Sequence, residues 1–127
     1  MREEAKLVTF DVIPHNHFSD TLLREDDFLD GRRYQVTGDL SDHACFLEHR
    51  SLFLECDLLF LDGPKNWQFE YAFWELLQKN GLKKGCLVVV DDIILPSMLE
   101  FWEDIRHPKL LLILSVILHA QVIFWNG

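Results

Sequence analysis

The feature that most constrains the fold is a set of short apolar runs, each of which stops at an acidic residue. Three strong runs occupy residues 6–11, 57–62 and 86–92. A weaker run over residues 33–39 ends in the same way. Continuous runs of β-branched and aromatic residues of this length are typical of strands that are buried on both faces of a parallel sheet. The pattern therefore predicts parallel strands that carry aspartates at their carboxyl ends.

Segments with helical spacing separate these runs. They lie at residues 42–54, 69–80 and 97–105. The middle segment is the best marked, because Phe69, Phe73 and Leu77 form one apolar stripe and Gly81 is a typical C-terminal stop. Alternating strands and helices predict an α/β fold with right-handed crossovers. Since no repeat or Gly/Ser-rich linker divides the sequence, we expect a single domain over residues 1–127.

Composition excludes several classes of partner and location. A net charge of −9 repels phosphate backbones and anionic lipids, so we expect neither nucleic acid nor membrane as a partner. Three irregularly spaced cysteines without a CxxC pair predict buried free thiols. No apolar leader follows Met1, which predicts a cytoplasmic protein. The apolar stretch 110–118 is about half the roughly 20 residues of a membrane span, so we expect a strand or hairpin there.

Five aspartates fall at the predicted carboxyl edge of the sheet, where open α/β sheets bind their ligands. They are Asp11, Asp39, Asp62, Asp91 and Asp92. Each could simply cap a following turn or helix. Five together would repel one another unless a cation or hydroxyl donors offset their charge. The residues alone leave both interpretations open.

Lys65 stands three residues after one of these aspartates. The intervening Gly63 and Pro64 predict a tight turn that brings Lys65 back towards Asp62. Such a lysine can be a structural ion-pair partner, or it can take a proton from a substrate hydroxyl. The sequence does not separate these two roles.

Residues 56–70 and 82–92 resemble the fourth and fifth strands of small-molecule O-methyltransferases, the group that includes catechol and caffeoyl-CoA methyltransferases. Residues 8–11 and 36–39 are similar to the second and third strands of that group. The resemblance implies a class I, Rossmann-like sheet, mostly parallel with helices on both faces. It also implies an enzyme that transfers a methyl group from S-adenosylmethionine to a small hydroxylated acceptor. The family's first strand and glycine-rich loop are not found before Lys6, so we expect a partial domain that is incomplete at its N-terminus.

The same resemblance assigns cofactor contacts. Asp11 matches the acidic residue that hydrogen-bonds the adenosine ribose, as in dinucleotide folds. Gly38 and Asp39 would lie beside the adenine, and Asp62 would also contact the cofactor. These four residues form the predicted cofactor site.

A metal and a general base are implied as well. Asp62, Asp91 and Asp92 match the family's metal triad, in which Asn often stands where this chain has Asp92. Their hard oxygen ligands suit Mg²⁺ or a similar divalent ion. Lys65 falls where catechol-type enzymes carry the general base, so the resemblance implies that it is the catalytic residue.

Three other functions can be compared with the sequence. A non-catalytic remnant of the same fold could act as an interaction or oligomerisation module. In that case a second copy or a partner would cover the exposed sheet edges. A phosphate-accepting receiver domain is disfavoured, because its aspartate pair precedes its lysine by a wide margin whereas Asp91 and Asp92 follow Lys65 here. An NAD-dependent enzyme is disfavoured because the chain has no GxGxxG turn.

Aromatic residues lie at helical spacing in two predicted helices and could line a pocket for an aromatic substrate. They are Trp67, Phe69, Trp74, Phe101 and Trp102. Aromatic residues with this spacing belong more often to a core.

Overall fold

A computed structural model gives the arrangement of residues 4–111 and 121–126. The chain divides into two compact units, Met1–Leu40 and Ser41–Gly127. The first contains a pair of strands and two short 3-10 turns, and the second contains a four-stranded sheet with four helices.

The first unit is a parallel strand pair. Strand β1 (Leu7–Asp11) lies beside β2 (Arg33–Thr37), with Leu7 opposite Arg33 and Asp11 opposite Thr37. The parallel direction requires a long connection, which contains the 3-10 turns His15–His17 and Glu25–Phe28. The two histidines of the first turn do not lie in a metal-binding cluster within the described part of the chain.

The second unit has a mixed sheet in the order β3-β4-β6-β5. Its strands are β3 (Leu58–Leu61), β4 (Leu87–Val90), β5 (Lys109–Leu111) and β6 (Gln121–Phe124). Strands β3 and β4 are parallel, whereas β6 is antiparallel to both β4 and β5. The antiparallel pair that we expected near the end of the chain is therefore confirmed, and residues 112–120 of the predicted hairpin lie outside the described residues.

Four helices accompany this sheet: α1 (His43–Glu48), α2 (Arg50–Leu54), α3 (Gln68–Asn80) and α4 (Pro96–Asp104). The expected helix over residues 42–54 begins as predicted, because the Asp42 carboxylate accepts the Cys45 N–H at 2.9 Å. It is interrupted at His49, which leaves helical geometry. Helix α3 ends at Gly81, which adopts a φ of 88° as a glycine stop should.

The core of the second unit is aromatic. Phe46 stacks on Phe53 with ring centroids 4.9 Å apart, and Phe73 meets both rings edge-on. Trp74 and Phe101 are also buried, so the helical aromatics belong mainly to the core, as their spacing favoured. Trp67 is the exception, with half of its surface exposed.

The two faces of the four-stranded sheet differ in burial. Val88, Val90 and Ile123 on one face are fully buried. The opposite face carries registered rows of apolar side chains, yet Leu58 and Phe60 are each more than half exposed. Because strands that are apolar on both faces normally have both faces covered, the exposed rows stand out as uncovered surface.

The α/β, Rossmann-like fold class is confirmed, and the structure differs from the expectation in how the strands are joined. We expected one sheet, but β1 and β2 form a sheet separate from the other four strands. Among the described strands, none hydrogen-bonds to both β1 and β3. The expectation of buried thiols also needs correction, since Cys86 is buried whereas Cys45 and Cys56 are half-buried. No helix in the described residues is long and apolar enough to span a membrane.

Candidate functional site

Three of the predicted aspartates lie at the carboxyl ends of β3 and β4. Asp62 directly follows β3, and Asp91 and Asp92 directly follow β4. The Asp91 N–H donates to the Leu61 carbonyl at 3.1 Å, which holds the two strand ends in register. Parallel pairing thus brings these carboxylates to one edge of the sheet.

Lys65 joins two of these carboxylates. Its ammonium Nζ lies 2.5 Å from Asp62 Oδ1 and 3.0 Å from Asp92 Oδ2. The Lys65 side chain is 23% exposed, whereas Asp62 and Asp92 are 47% and 40% exposed. The predicted turn therefore does return Lys65 to the strand end, and the cluster remains open to solvent.

The backbone of Lys65 is held as firmly as its side chain. Its N–H donates to Glu70 Oε1 at 2.8 Å, and its carbonyl accepts the Ser97 hydroxyl at 2.7 Å. Lys65 has a φ of 56° and Trp67 a φ of 63°, a left-handed conformation that is strained for residues with side chains. Glu70 and Ser97 were not among the predicted site residues, because neither lies at a strand end.

Glu70 is unusual in being a fully buried carboxylate near the start of α3. Its Oε1 binds the Lys65 N–H, while Oε2 has no hydrogen-bond partner among the described residues. A Cβ atom on Gly63 would come within 2.9 Å of Glu70 Oε1 and 2.8 Å of the Phe69 ring. The loop between β3 and α3 is thus packed directly onto Glu70, and a side chain at position 63 would force Phe69 and Glu70 to shift.

Electrostatics favour the charged form of Lys65. Hydrogen bonds to Asp62 and then to Asp92 raise the pKa of Lys65 above its usual range. A general base must give up its proton before it can accept one, and the raised pKa opposes that loss. The contacts therefore favour an ammonium that donates hydrogen bonds.

The carboxylates do not form a metal-ligating set. Asp91 Oδ1 accepts the N–H of Asp92 at 2.9 Å, and Asp92 adopts a φ of 54°. The Lys65 ammonium already lies between Asp62 and Asp92. Within residues 4–111 and 121–126, no three His, Cys, Asp or Glu side chains are placed to hold a metal ion. The metal triad that the resemblance implies therefore receives no support from the geometry.

A groove between α3 and α4 begins next to this cluster. Its volume is about 680 Å³, and its lining includes Trp67, Tyr71, Ser97, Glu100 and Asp104. The Tyr71 hydroxyl donates to Asp104 Oδ2 at 2.5 Å. Burial and this hydrogen bond raise the pKa of Tyr71 to about 12. An aromatic wall with carboxylates beside it can stack on a ring and accept hydrogen bonds from hydroxyl groups.

The predicted adenosine contacts lie in the first unit. Asp11 ends β1, and its Oδ1 accepts the Ile13 N–H at 3.0 Å, as a turn cap does. The Gly38 N–H donates to the Asp11 carbonyl at 2.9 Å, so these two residues lie side by side. Asp39 follows at the exposed end of β2. The structure brings together Asp62, Lys65 and Asp92 in the second unit and Asp11 with Gly38 in the first.

Comparison with known proteins identifies the fold. No family model and no curated protein matches the chain. Among solved structures, the chain is similar to apo CalS11, a TDP-rhamnose 3'-O-methyltransferase of calicheamicin biosynthesis, with a TM-score of 0.63 and 17% identity. The chain has a methyltransferase fold. The likeness covers 96% of this chain and 60% of the CalS11 chain, so this chain spans less than two thirds of that enzyme's length.

Proposed function

We propose that this chain takes part in methyl transfer from S-adenosylmethionine to a hydroxyl group of a small molecule. The observation that supports this most directly is the fixed Lys65 cluster at the carboxyl edge of a sheet with a methyltransferase fold. That edge is where open α/β sheets bind their ligands. A cytoplasmic location remains a prediction.

In this proposal Asp11 accepts hydrogen bonds from the adenosine ribose, and Gly38 and Asp39 of the same unit contribute further cofactor contacts. The exposed Asp11 carboxylate fits that role, because among the described contacts only its Oδ1 is engaged, by the Ile13 N–H. When bound, S-adenosylmethionine would supply a methyl group on a positively charged sulfur. The chain's own residues would have to orient the acceptor oxygen towards that methyl group.

Lys65 would be the residue that touches the acceptor. Its ammonium can donate a hydrogen bond to the acceptor oxygen and stabilise negative charge that develops there. The neighbouring Asp62 carboxylate can accept the hydroxyl proton, since it is half exposed and already close to Lys65. The general-base role of Lys65 itself remains a prediction, and its raised pKa disfavours it.

Cofactor binding by the full chain tests the proposal. We expect isothermal titration calorimetry to detect saturable binding of S-adenosylmethionine. Asp11→Ala should weaken binding, because each hydrogen bond to a charged group contributes about 1.5–3 kcal/mol. Asp20→Ala is the matched control, since Asp20 is an exposed aspartate of the same unit away from the strand ends. Equal affinities for all three proteins, or no binding by any of them, would remove the basis for the assignment.

Turnover separates the two sets of residues. With radiolabelled S-adenosylmethionine and a panel of hydroxylated small molecules, Lys65→Met should lose methyl transfer while retaining cofactor affinity. Methylation at the unchanged rate would reduce Lys65 to a structural ion-pair partner.

A second candidate function is an interaction module, and the exposed sheet face favours it. Leu58, Phe60, Leu87 and Phe124 are large apolar side chains that remain substantially exposed on that face. Exposed apolar clusters of this kind often mark interaction sites. We expect a second copy of the chain to cover it, so sedimentation should show concentration-dependent association that Phe60→Lys weakens. A monomer at every concentration would argue against this candidate.

A further inference from the structure

The Lys65 ammonium occupies the position at which the aspartates of β3 and β4 converge. It is 2.5 Å from Asp62 Oδ1 and 3.0 Å from Asp92 Oδ2, so one cation already neutralises two carboxylates from adjacent strand ends. We infer that this tethered ammonium is the resident cation of the site and takes the place of a divalent metal ion. The inference concerns the site on which the proposed function rests, but it can be tested without turnover.

The first support is that the chain holds the backbone of Lys65 at both its N–H and its carbonyl. Glu70 Oε1 accepts its N–H, and the Ser97 hydroxyl donates to its carbonyl. Glu70 is completely buried, so the anchor cannot move away into solvent. A surface lysine that only happened to meet a carboxylate would need neither contact. The ammonium is therefore positioned by the fold.

The second support is the conformation of the loop. Lys65 has a φ of 56° although it is not glycine, and Asp92, at the end of the adjacent strand, has a φ of 54°. Aspartate tolerates this conformation better than lysine does, so the strain falls mainly on Lys65. Two of the three described residues with side chains and a positive φ, Lys65 and Asp92, are partners in one ion pair, and the third is Trp67 in the same loop as Lys65. The strained loop thus places the ammonium against Asp92.

The third support is that a divalent ion and the ammonium would compete for the same oxygens. Divalent ions bind carboxylate oxygens at about 2.0–2.6 Å. An ion on Asp62 Oδ1 would therefore lie in contact with the Lys65 ammonium, whose hydrogen bond this oxygen already accepts. Asp91 offers little compensation, since its Oδ1 accepts the Asp92 N–H. Packing of Gly63 against Phe69 and Glu70 leaves the loop no room to move inward. Lys65 would have to leave before a metal could enter.

Mn²⁺ is a suitable probe, because its free form is counted directly by electron paramagnetic resonance. We expect the full-length wild-type chain to show no saturable Mn²⁺ binding tighter than about 1 mM, the weak end of protein sites for divalent ions. Lys65→Met should gain a site at least about tenfold tighter than any wild-type binding, because it leaves Asp62 and Asp92 without a cation. The added change Asp92→Asn should abolish that gain.

Lys83→Met is the matched control, since Lys83 is also paired with an aspartate at 2.5 Å but at the other end of the same strands. It should behave like the wild type. Lys65→Arg, which keeps a cation, should also gain no site. If Lys65→Met does not fold, Lys65→Gln, which also removes the cation, takes its place and should gain the same site. Saturable sub-millimolar Mn²⁺ binding by the wild type, or no gain in a folded Lys65→Met, would overturn the inference.

Calorimetry with S-adenosylmethionine in excess EDTA distinguishes this inference from the proposed function. If both hold, cofactor binding should persist without divalent ions. If the chain does not bind the cofactor at all, the proposed function fails while the Mn²⁺ result still decides the nature of the Lys65 site.

Discussion

The parallel strands β3 and β4 carry a lysine–aspartate pair at each end, and the two pairs have the same length. Lys65 Nζ lies 2.5 Å from Asp62 at the carboxyl ends, and Lys83 Nζ lies 2.5 Å from Asp57 at the amino ends. The Lys65 side chain is 23% exposed and the Lys83 side chain 46%. The two pairs therefore differ in their surroundings and not in their geometry.

An ion-pair distance alone therefore does not identify a functional site. Lys83 has a single carboxylate partner that is 84% exposed, which is the usual condition of a surface pair. Lys65 has a second carboxylate, a buried anchor for its N–H and a hydroxyl on its carbonyl. Only the carboxyl end is built to hold a charge in one place.

The largest expected effect comes from removing the buried anchor. Glu70→Ala should lower the free energy of unfolding by about 2–4 kcal/mol, because it leaves a cavity and deprives the Lys65 N–H of its acceptor. Urea denaturation followed by tryptophan fluorescence measures this. Glu75→Ala on the exposed side of the same helix should change little. Similar stabilities for the two variants would mean that the buried Glu70 does not anchor the loop at the carboxyl end.

Gly63→Ala tests the packing of the loop and should have a somewhat smaller effect. The added methyl would meet the Phe69 ring and Glu70 at under 3 Å, so we expect a loss of about 1–3 kcal/mol. The double variant with Phe69→Leu should recover part of the loss in the same denaturation experiment, because the smaller side chain relieves one of the two contacts. An unchanged stability in the single variant would show that the loop can move away from α3.

Substituting the two lysines compares the pairs directly. Lys65→Met should lower the free energy of unfolding by about 1 kcal/mol at pH 7, since two carboxylates lose their shared counter-ion. Lys83→Met should leave stability unchanged within error. The raised pKa of Lys65 stabilises the fold below the usual lysine pKa and is lost as the pH rises beyond it, so the Lys65 effect should persist through neutral pH. It should disappear near pH 2, where aspartates are protonated. Equal effects of both substitutions on the free energy of unfolding would mean that the lysine–aspartate pairs at the two ends of β3 and β4 contribute equally to stability.

The smallest effect concerns a thiol at the amino end. A hydrogen bond with the Cys86 thiol is the main cause that lowers the pKa of Cys56 to about 7; the Lys83 charge contributes to this lowering, whereas burial and the Asp57 charge oppose it. The rate of Cys56 alkylation by iodoacetamide should therefore rise around pH 7, and mass spectrometry of the modified peptide follows it. In Lys83→Met the midpoint should move to slightly higher pH, whereas in Lys65→Met it should not. A midpoint that follows Lys65 would mean that the two ends are electrostatically coupled.

The sequence predicted much of this fold because its signals are local. Apolar runs marked β1, β3 and β4, and the stripe with its glycine stop marked α3. The Gly63–Pro64 turn likewise predicted the contact of Lys65 with Asp62. Parallel pairing then brought Asp92 to the same place.

Features that depend on contacts between elements were not predictable in this way. Ser97 reaches the Lys65 carbonyl from a different helix, and nothing in its neighbours signals that contact. The sequence does not signal the left-handed conformations of Lys65 and Asp92, because neither position holds glycine or asparagine. The division into two sheets depends on which strands pair with one another. The hydrophobic pattern within a single strand does not specify its pairing partner.

The position of β6 has a consequence for how the chain folds during synthesis. It is the last strand described, yet it lies between β4 and β5 and hydrogen-bonds to both. A ribosome releases residues in order, so β4 has no neighbour on that side until residues 121–124 have emerged. Val88 and Val90 therefore lack their final packing from their own synthesis until that of residues 121–124, an interval in which an apolar strand is exposed to aggregation.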